Sequence, residues 1–403
     1  MISRRTFVAS TLTLAGAAAC GPLRSLAQQF GPKPGTLVLT APTRLPFVLS
    51  GNHIYIRASV GGAPYAFIFD TGGAAIVTTA VAKAMAFATV GQAQVGGAGS
   101  GSQTADLVRV PDARIGDAAY TGGTFLAIDP PPGVASPIPG LTFGGIFGRE
   151  LFTRLITTID YAAATLTFTP PALFRPDPGA AVLPLRLRNG VLPNVTASVD
   201  GVSGAFDVDA GSAAGITVTE PFAKTAGIRR SGAPAIEVIL GYGAGGPVEA
   251  TALRAERFTF GATTFPDPIV AIARATGVFG EADLAGNIGG EVLRRFTVTL
   301  DAPGGKLYLT PNARVREPLA FNRSGIYARA GSAGDTVVLV VPKSPGAEAG
   351  VRAGDVLVAI DGAPKTHDRF NAAWLEPVGT RVRVTVRRGG TTVVATVVLR
   401  DLL

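Results

Sequence analysis

The stretch Ala58 to Gly73, ASVGGAPYAFIFDTGG, recurs without a gap as ASVDGVSGAFDVDAGS from Ala197 to Ser212, an offset of 139 (58 against 197). Ala58 falls on Ala197, Phe67 on Phe206, Asp70 on Asp209 and Gly72 on Gly211. A chain that repeats a segment at this distance is built from two copies of one unit, so any fold must accommodate two equivalent lobes. In each copy an apolar run ends on an aspartate followed by small residues. In the first copy Ala66, Phe67, Ile68 and Phe69 read as a strand buried on both faces.

A second match confirms the duplication. GRELFTRLITTIDYAAATLTFTP from Gly148 falls on GGEVLRRFTVTLDAPGGKLYLTP from Gly289, an offset of 141 (148 against 289), pairing Glu150 with Glu291 and Asp160 with Asp301. Between the two matches each copy has a glycine-rich segment, VGGAGSGSQ from Val95 and LGYGAGGPV from Leu240. Neither is followed by the lysine and Ser/Thr of a phosphate loop. Both read as hairpin tips, where glycine supplies the backbone angles of tight turns.

Composition narrows the chemistry. With 47% hydrophobic and 16% charged residues, 52 glycines and short apolar runs broken by turn signals, the chain reads as mainly β. The net charge of +8 is carried by scattered residues rather than by a basic-aromatic groove, which argues against nucleic acid as a partner. The histidines are two, His53 and His367, and Cys20 is the single cysteine. Zinc sites, cysteine nucleophiles and Ser-His-Asp triads are therefore disfavoured, and neither a metal nor a cofactor is expected.

The duplicated aspartate turns make the chain resemble a bilobal aspartic peptidase, pepsin-like in having both lobes on one chain and retropepsin-like in its compact lobes. In that family each lobe contributes one aspartate from a D-[TS]-G turn, a hairpin flap covers the substrate, and a hydrophobic-hydrophobic-Gly element braces the turn. Here these elements are Asp70-Thr71-Gly72 with Ile146-Phe147-Gly148, and Asp209-Ala210-Gly211 with Asn287-Ile288-Gly289. The second copy departs from the pattern at Ala210 and Asn287. The resemblance implies that Asp70 and Asp209 are catalytic and that Thr71, Gly72, Ala210 and Gly211 support them. It implies a flap among Gly96, Gly97, Gly99, Gly101, Tyr242 and Gly243, with the choice between the two segments open. Two carboxyls brought together share one proton and titrate as a unit, and such a pair can activate water against a peptide carbonyl. Asp207, standing where the first copy has Ile68, either lies apart from this pair or perturbs it.

The ends of the chain carry other signals. Residues 1–27 begin MISRRTF, with a twin arginine at Arg4 and Arg5 ahead of an apolar run, and read as an export signal directing the protein to the periplasm. Two outcomes stand: cleavage after Ala27, or lipidation of Cys20 and attachment to the membrane. Residues 28–44 form a leader strand or linker, 45–170 the first lobe, 171–312 the second and 313–403 a further domain. From Thr336 to Pro364, TVVLVVPKSPGAEAGVRAGDVLVAIDGAP resembles the PDZ modules of bacterial envelope proteases. That resemblance implies a site for protein or peptide ligands, and it places a nest of backbone N–H groups for a terminal carboxylate at Arg323, Ser324, Gly325 and Ile326. The alternative is a module that only docks against the lobes. Together the expected architecture is two homologous aspartic-protease-type β-barrel lobes followed by a PDZ domain. The expected activity is endopeptidase hydrolysis of protein substrates, with an inactive peptide-binding relative as the rival.

Overall fold

The computed structural model describes residues 34–130, 135–228, 234–331, 334–364 and 372–403. Residues 1–33, which include Arg4, Arg5, Cys20 and the first part of the leader, and His367 lie outside the described residues. Among those described, no helix is long and apolar enough to cross a membrane.

Each lobe is a β-barrel built around a central hairpin. In the first, the His53–Val60 and Ala63–Phe69 strands pair antiparallel, and Ala63–Phe69 pairs parallel with Phe143–Ile146. The long Gln103–Ile115 strand pairs with both Thr89–Val95 and Ala118–Ala127, which wraps the sheet upon itself. The second lobe repeats this plan. Leu192–Val199 pairs with Val202–Val208, which pairs parallel with Gly286–Ile288, and the Ala235–Gly243 and Gly246–Arg254 hairpin extends the sheet. Within the leader, Thr36–Val38 is a strand that adds to Ala118–Ala127 of the first lobe.

A six-stranded sheet joins the lobes. Thr43–Pro46, Thr165–Thr169 and Ile156–Asp160 come from one side, and Phe296–Asp301, Lys306–Pro311 and Ala181–Pro184 from the other. Ile156–Asp160 and Phe296–Asp301 meet antiparallel at its centre. The apolar residues above this sheet form one cluster shared by both lobes, including Phe67, Phe69, Phe147, Phe206, Phe258 and Phe296. Burying each such ring contributes roughly 1.5–3 kcal/mol, enough in sum to hold the two lobes at a fixed spacing.

The C-terminal domain has its own sheet, in the order Ile326–Arg329, Asp335–Val340, Val356–Ile360, Arg381–Arg388 and Thr391–Val398. Strict alternation in RVRVTVRR sends Val382, Val384 and Val386 inward, onto Trp374 and Leu357. This domain packs on the second lobe. Phe321, Tyr327 and Leu403 lie against Val238, Ala250, Ala252 and Ala271 of the hairpin sheet, and the Arg254 side chain donates from Nε to the Leu403 carbonyl at 3.2 Å.

Candidate active site

Both aspartates stand at the end of the inner strand of their lobe's central hairpin, where chain direction and burial are fixed by the flanking apolar residues. The Phe147 N–H donates to Ile68 O at 2.9 Å in the first lobe and the Asp209 N–H donates to Ile288 O at 3.0 Å in the second, so each brace strand locks its aspartate strand. Gly148 packs directly on the Asp70 backbone, where a Cβ would collide.

The two turns meet across the lobe interface. The Asp70 and Asp209 carboxyls come within electrostatic range of one another. Each also lies against the glycine of the opposite turn: a Cβ on Gly72 would fall 2.7 Å from the Asp209 Cγ, and a Cβ on Gly211 would collide with the Asp70 carboxyl. Only glycine permits this approach. The Gly72 N–H donates to Asp70 Oδ1 at 2.6 Å, and the Gly211 and Ser212 N–H groups donate to Asp209 Oδ1 at 2.9 and 3.1 Å.

Fully buried Thr71 bridges the lobes. Its hydroxyl donates to Val208 O at 2.7 Å and accepts from the Ala210 N–H at 2.9 Å. Ala210 has no hydroxyl with which to return the contact, so the bridge runs from one side. Asn287 supplies a contact that sequence reasoning did not foresee: its Nδ2 donates to Asp209 Oδ2 at 2.8 Å.

Burial pushes the Asp70 carboxyl up to about 8, with the Asp209 charge adding to the rise. Burial also raises Asp209, against the Asn287 amide, which favours its charged form; the nearby Asp207 charge adds to the rise. Asp207 itself is engaged behind the site. Arg188 forms a buried ion pair with it and also binds Glu281, while Asn194 Nδ2 donates to it at 2.9 Å. The Tyr161 hydroxyl, within electrostatic range of Asp209, is buried and has no hydrogen-bond partner among the described residues. A single sequence carries no signal for the Arg188 or Tyr161 contacts, because their partners lie on separate strands.

Both glycine-rich segments are hairpin tips, and the structure joins them. The Gly101 N–H donates to Gly245 O at 2.8 Å, the Gly245 N–H to Ala98 O at 3.3 Å, and the Val278 N–H to Gly97 O at 3.2 Å. Gly99 and Gly243 sit in the same contact, with no room for a Cβ on either. Gly96 has open space around it, and Tyr242 is half-buried opposite Pro247 on the second hairpin, within electrostatic range of Arg329.

At Arg323, Ser324, Gly325 and Ile326, where a backbone nest was expected, the N–H groups have partners within the domain. The Ser324 and Gly325 N–H groups both donate to Asn322 Oδ1, at 2.9 and 3.2 Å. The Ile326 N–H donates to Ser324 Oγ at 3.0 Å and the Arg323 N–H to Trp374 O at 2.9 Å. Asn322 Oδ1 thus accepts from two of these four N–H groups. Among the described residues, no three His, Cys, Asp or Glu side chains cluster as a metal site.

Two parts of the chain match known families. Residues 56–151 match the family model described as aspartyl protease, and residues 336–388 match that of the PDZ domain. Among solved structures, the crystal structure of aspartic proteinase from Irpex lacteus is similar, at 14% identity and a TM-score of 0.41, covering 69% of this chain and 100% of that one. A search of curated proteins finds no match. Part of the first lobe thus matches the aspartyl protease model and part of the C-terminal domain matches the PDZ model.

Proposed function

We propose that the protein is an exported aspartic endopeptidase in which Asp70 and Asp209 form the catalytic dyad. The observation that carries this reading is the pair of half-buried carboxyls facing one another across the lobe interface, each seated on the other lobe's glycine. Like charges this close cannot both ionise readily, so one carboxyl holds a proton while the other is charged. The charged member takes a proton from water, the water oxygen bonds to the scissile carbonyl carbon, and the protonated member gives its proton to the carbonyl oxygen. Collapse of this gem-diol breaks the C–N bond, with one proton passing to the leaving amine and one returning to the dyad. The joined hairpin tips serve as the flap, and their bonds to each other must part or shift for an extended chain to enter.

The PDZ domain recruits or orients protein substrates in this reading. Its Ile326–Arg329 strand is the edge of its sheet, which favours strand addition, while the closed Asn322 loop argues against terminal-carboxylate capture. The twin arginine at Arg4 and Arg5 supports export to the periplasm, as a soluble product cut after Ala27 or as a lipoprotein anchored through Cys20. A second reading, a peptide-binding envelope protein without turnover, draws support from Ala210, which leaves the bridge between the turns one-sided. Incubating the mature chain and its D70N and D209N variants with unfolded polypeptides, and reading fragments by mass spectrometry, decides between them. Cleavage by the parent alone supports the peptidase. Binding without cleavage supports the second reading.

A further inference from the structure

The two lobes differ most, near the dyad, at a single cross-strand pair. In the first lobe the aspartate strand and its brace strand place Ile68 opposite Ile146; in the second the equivalent positions are Asp207 and Asn287. Asn287 is buried, and its amide is fully committed on one side: Nδ2 donates to Asp209 Oδ2, while Oδ1 has no partner among the described residues. Turning the amide over would set its oxygen against a carboxylate oxygen, two acceptors with nothing between them. An orphaned buried carbonyl is costly, and this orientation is favoured only while Asp209 Oδ2 is an acceptor.

Asp209 thus receives three donors, from Gly211, Ser212 and Asn287. Asp70 receives the Gly72 N–H and has no side-chain amide, because Ile146 stands where Asn287 would be. We propose that Asn287 is a positioning residue that breaks the symmetry of the dyad, holding the negative charge on Asp209 and leaving the shared proton on Asp70. This rests on the dyad reading above. It makes Asp209 the base that takes the proton from water, and Asp70 the acid that protonates the carbonyl oxygen.

The other charged and titratable groups around the pair set the background. Asp207 lies behind Asp209 and opposes its charge, but is itself held by Arg188, which also binds Glu281. Tyr161 is within electrostatic range of Asp209, and facing Asp70 the charged neighbour is Asp209. Asn287 is the side-chain donor among them that touches the dyad directly.

The test is a carboxyl titration by NMR on the full mature chain labelled with ¹³C-carboxyl aspartate. The two resonances are assigned with D70N and D209N, and kcat/KM is followed against pH on an unfolded polypeptide. The variants are N287L, which restores the apolar character of the first lobe, and N287D, which is isosteric should N287L fail to fold. The expected result is that Asp209 is the first of the pair to ionise in the parent. In N287L its ionisation, and with it the acid limb of kcat/KM, moves up by about one pH unit, about tenfold in proton affinity. N287D moves it further in the same direction, and N287Q, if its donor reaches, moves it back. An unchanged Asp209 titration in these variants, or Asp70 ionising first in the parent, overturns the inference even if cleavage is robust. Conversely, the expected titration without cleavage leaves the charge placement standing and removes the peptidase reading.

Discussion

The hydroxyls of Thr158 and Thr299 meet at 2.9 Å in the middle of the sheet that joins the lobes. The two residues are equivalents in the duplicated segment, 141 positions apart, and they face each other as partners in the antiparallel register of Ile156–Asp160 and Phe296–Asp301. A residue that pairs with its own copy marks the local twofold relating the lobes. The same relation carries Asp70 towards Asp209, so the shared sheet fixes how closely the carboxyls approach.

Thr71 is the side chain that ties one aspartate turn to the other. Replacing it with valine keeps the shape but leaves Val208 O and the Ala210 N–H without their buried partner. The expected loss is about 2 kcal/mol of stability, read as a lower midpoint in urea, together with weaker cleavage. A T71V variant as stable as the parent would show that the lobes do not depend on this bridge.

Gly72 tests the closeness of the pair with both aspartates left in the sequence. An alanine methyl there would fall 2.7 Å from Asp209 Cγ, closer than carbon atoms tolerate, and must displace that carboxyl. G72A is expected to keep its far-ultraviolet circular dichroism and lose at least tenfold in kcat/KM. Full activity in G72A would mean that the carboxyls do not need this spacing.

The protonation of Asp70 links stability to pH. Its carboxyl ionises near 3.8 when unfolded and is pushed up to about 8 when folded, chiefly by burial and then by the Asp209 charge. Between those values the folded chain holds a proton that the unfolded chain has released, so stability is fully present below the lower value and is lost as pH rises through the upper. Asp70 alone contributes a fall of up to about 1.4 kcal/mol per pH unit over that window. The D70N variant is expected to flatten that fall in chemical denaturation across pH. A parallel dependence in both proteins would place Asp70 elsewhere on the pH scale.

Tyr327 docks the PDZ domain on the hairpin sheet of the second lobe. Truncation to alanine removes most of that ring contact, about 2 kcal/mol of packing, and is expected to speed proteolysis of the connecting segment near residues 317–323. Unchanged proteolysis would mean that Glu291 and Arg295 hold the junction by themselves. Their side chains already bind the Ala320 N–H and the Glu317 and Pro318 carbonyls.

Much of this architecture was legible because duplication writes itself as an offset. The aspartate turns, their brace segments and the glycine hairpins fall at matching places in both copies, and each has a local chemical reason to be where it is. The PDZ domain was legible from the resemblance carried by Thr336 to Pro364. Contacts between strands far apart in sequence were not. Arg188 lies 19 residues from Asp207 and 93 from Glu281, and nothing local pairs them. The nest at Arg323 to Ile326 was placed by resemblance alone, and its acceptor Asn322 lies one residue outside that motif. Asn287 was visible only as a departure from the apolar pattern, and its role emerged when the brace strand placed it on Asp209.

Fragment analysis of an unfolded polypeptide, incubated with the mature chain, D70N and D209N from mildly acidic to neutral pH, tests the dyad most directly. The account predicts that the parent cleaves and that each variant loses cleavage by at least a thousandfold while keeping its fold. Full cleavage by D70N, or by D209N, would contradict it.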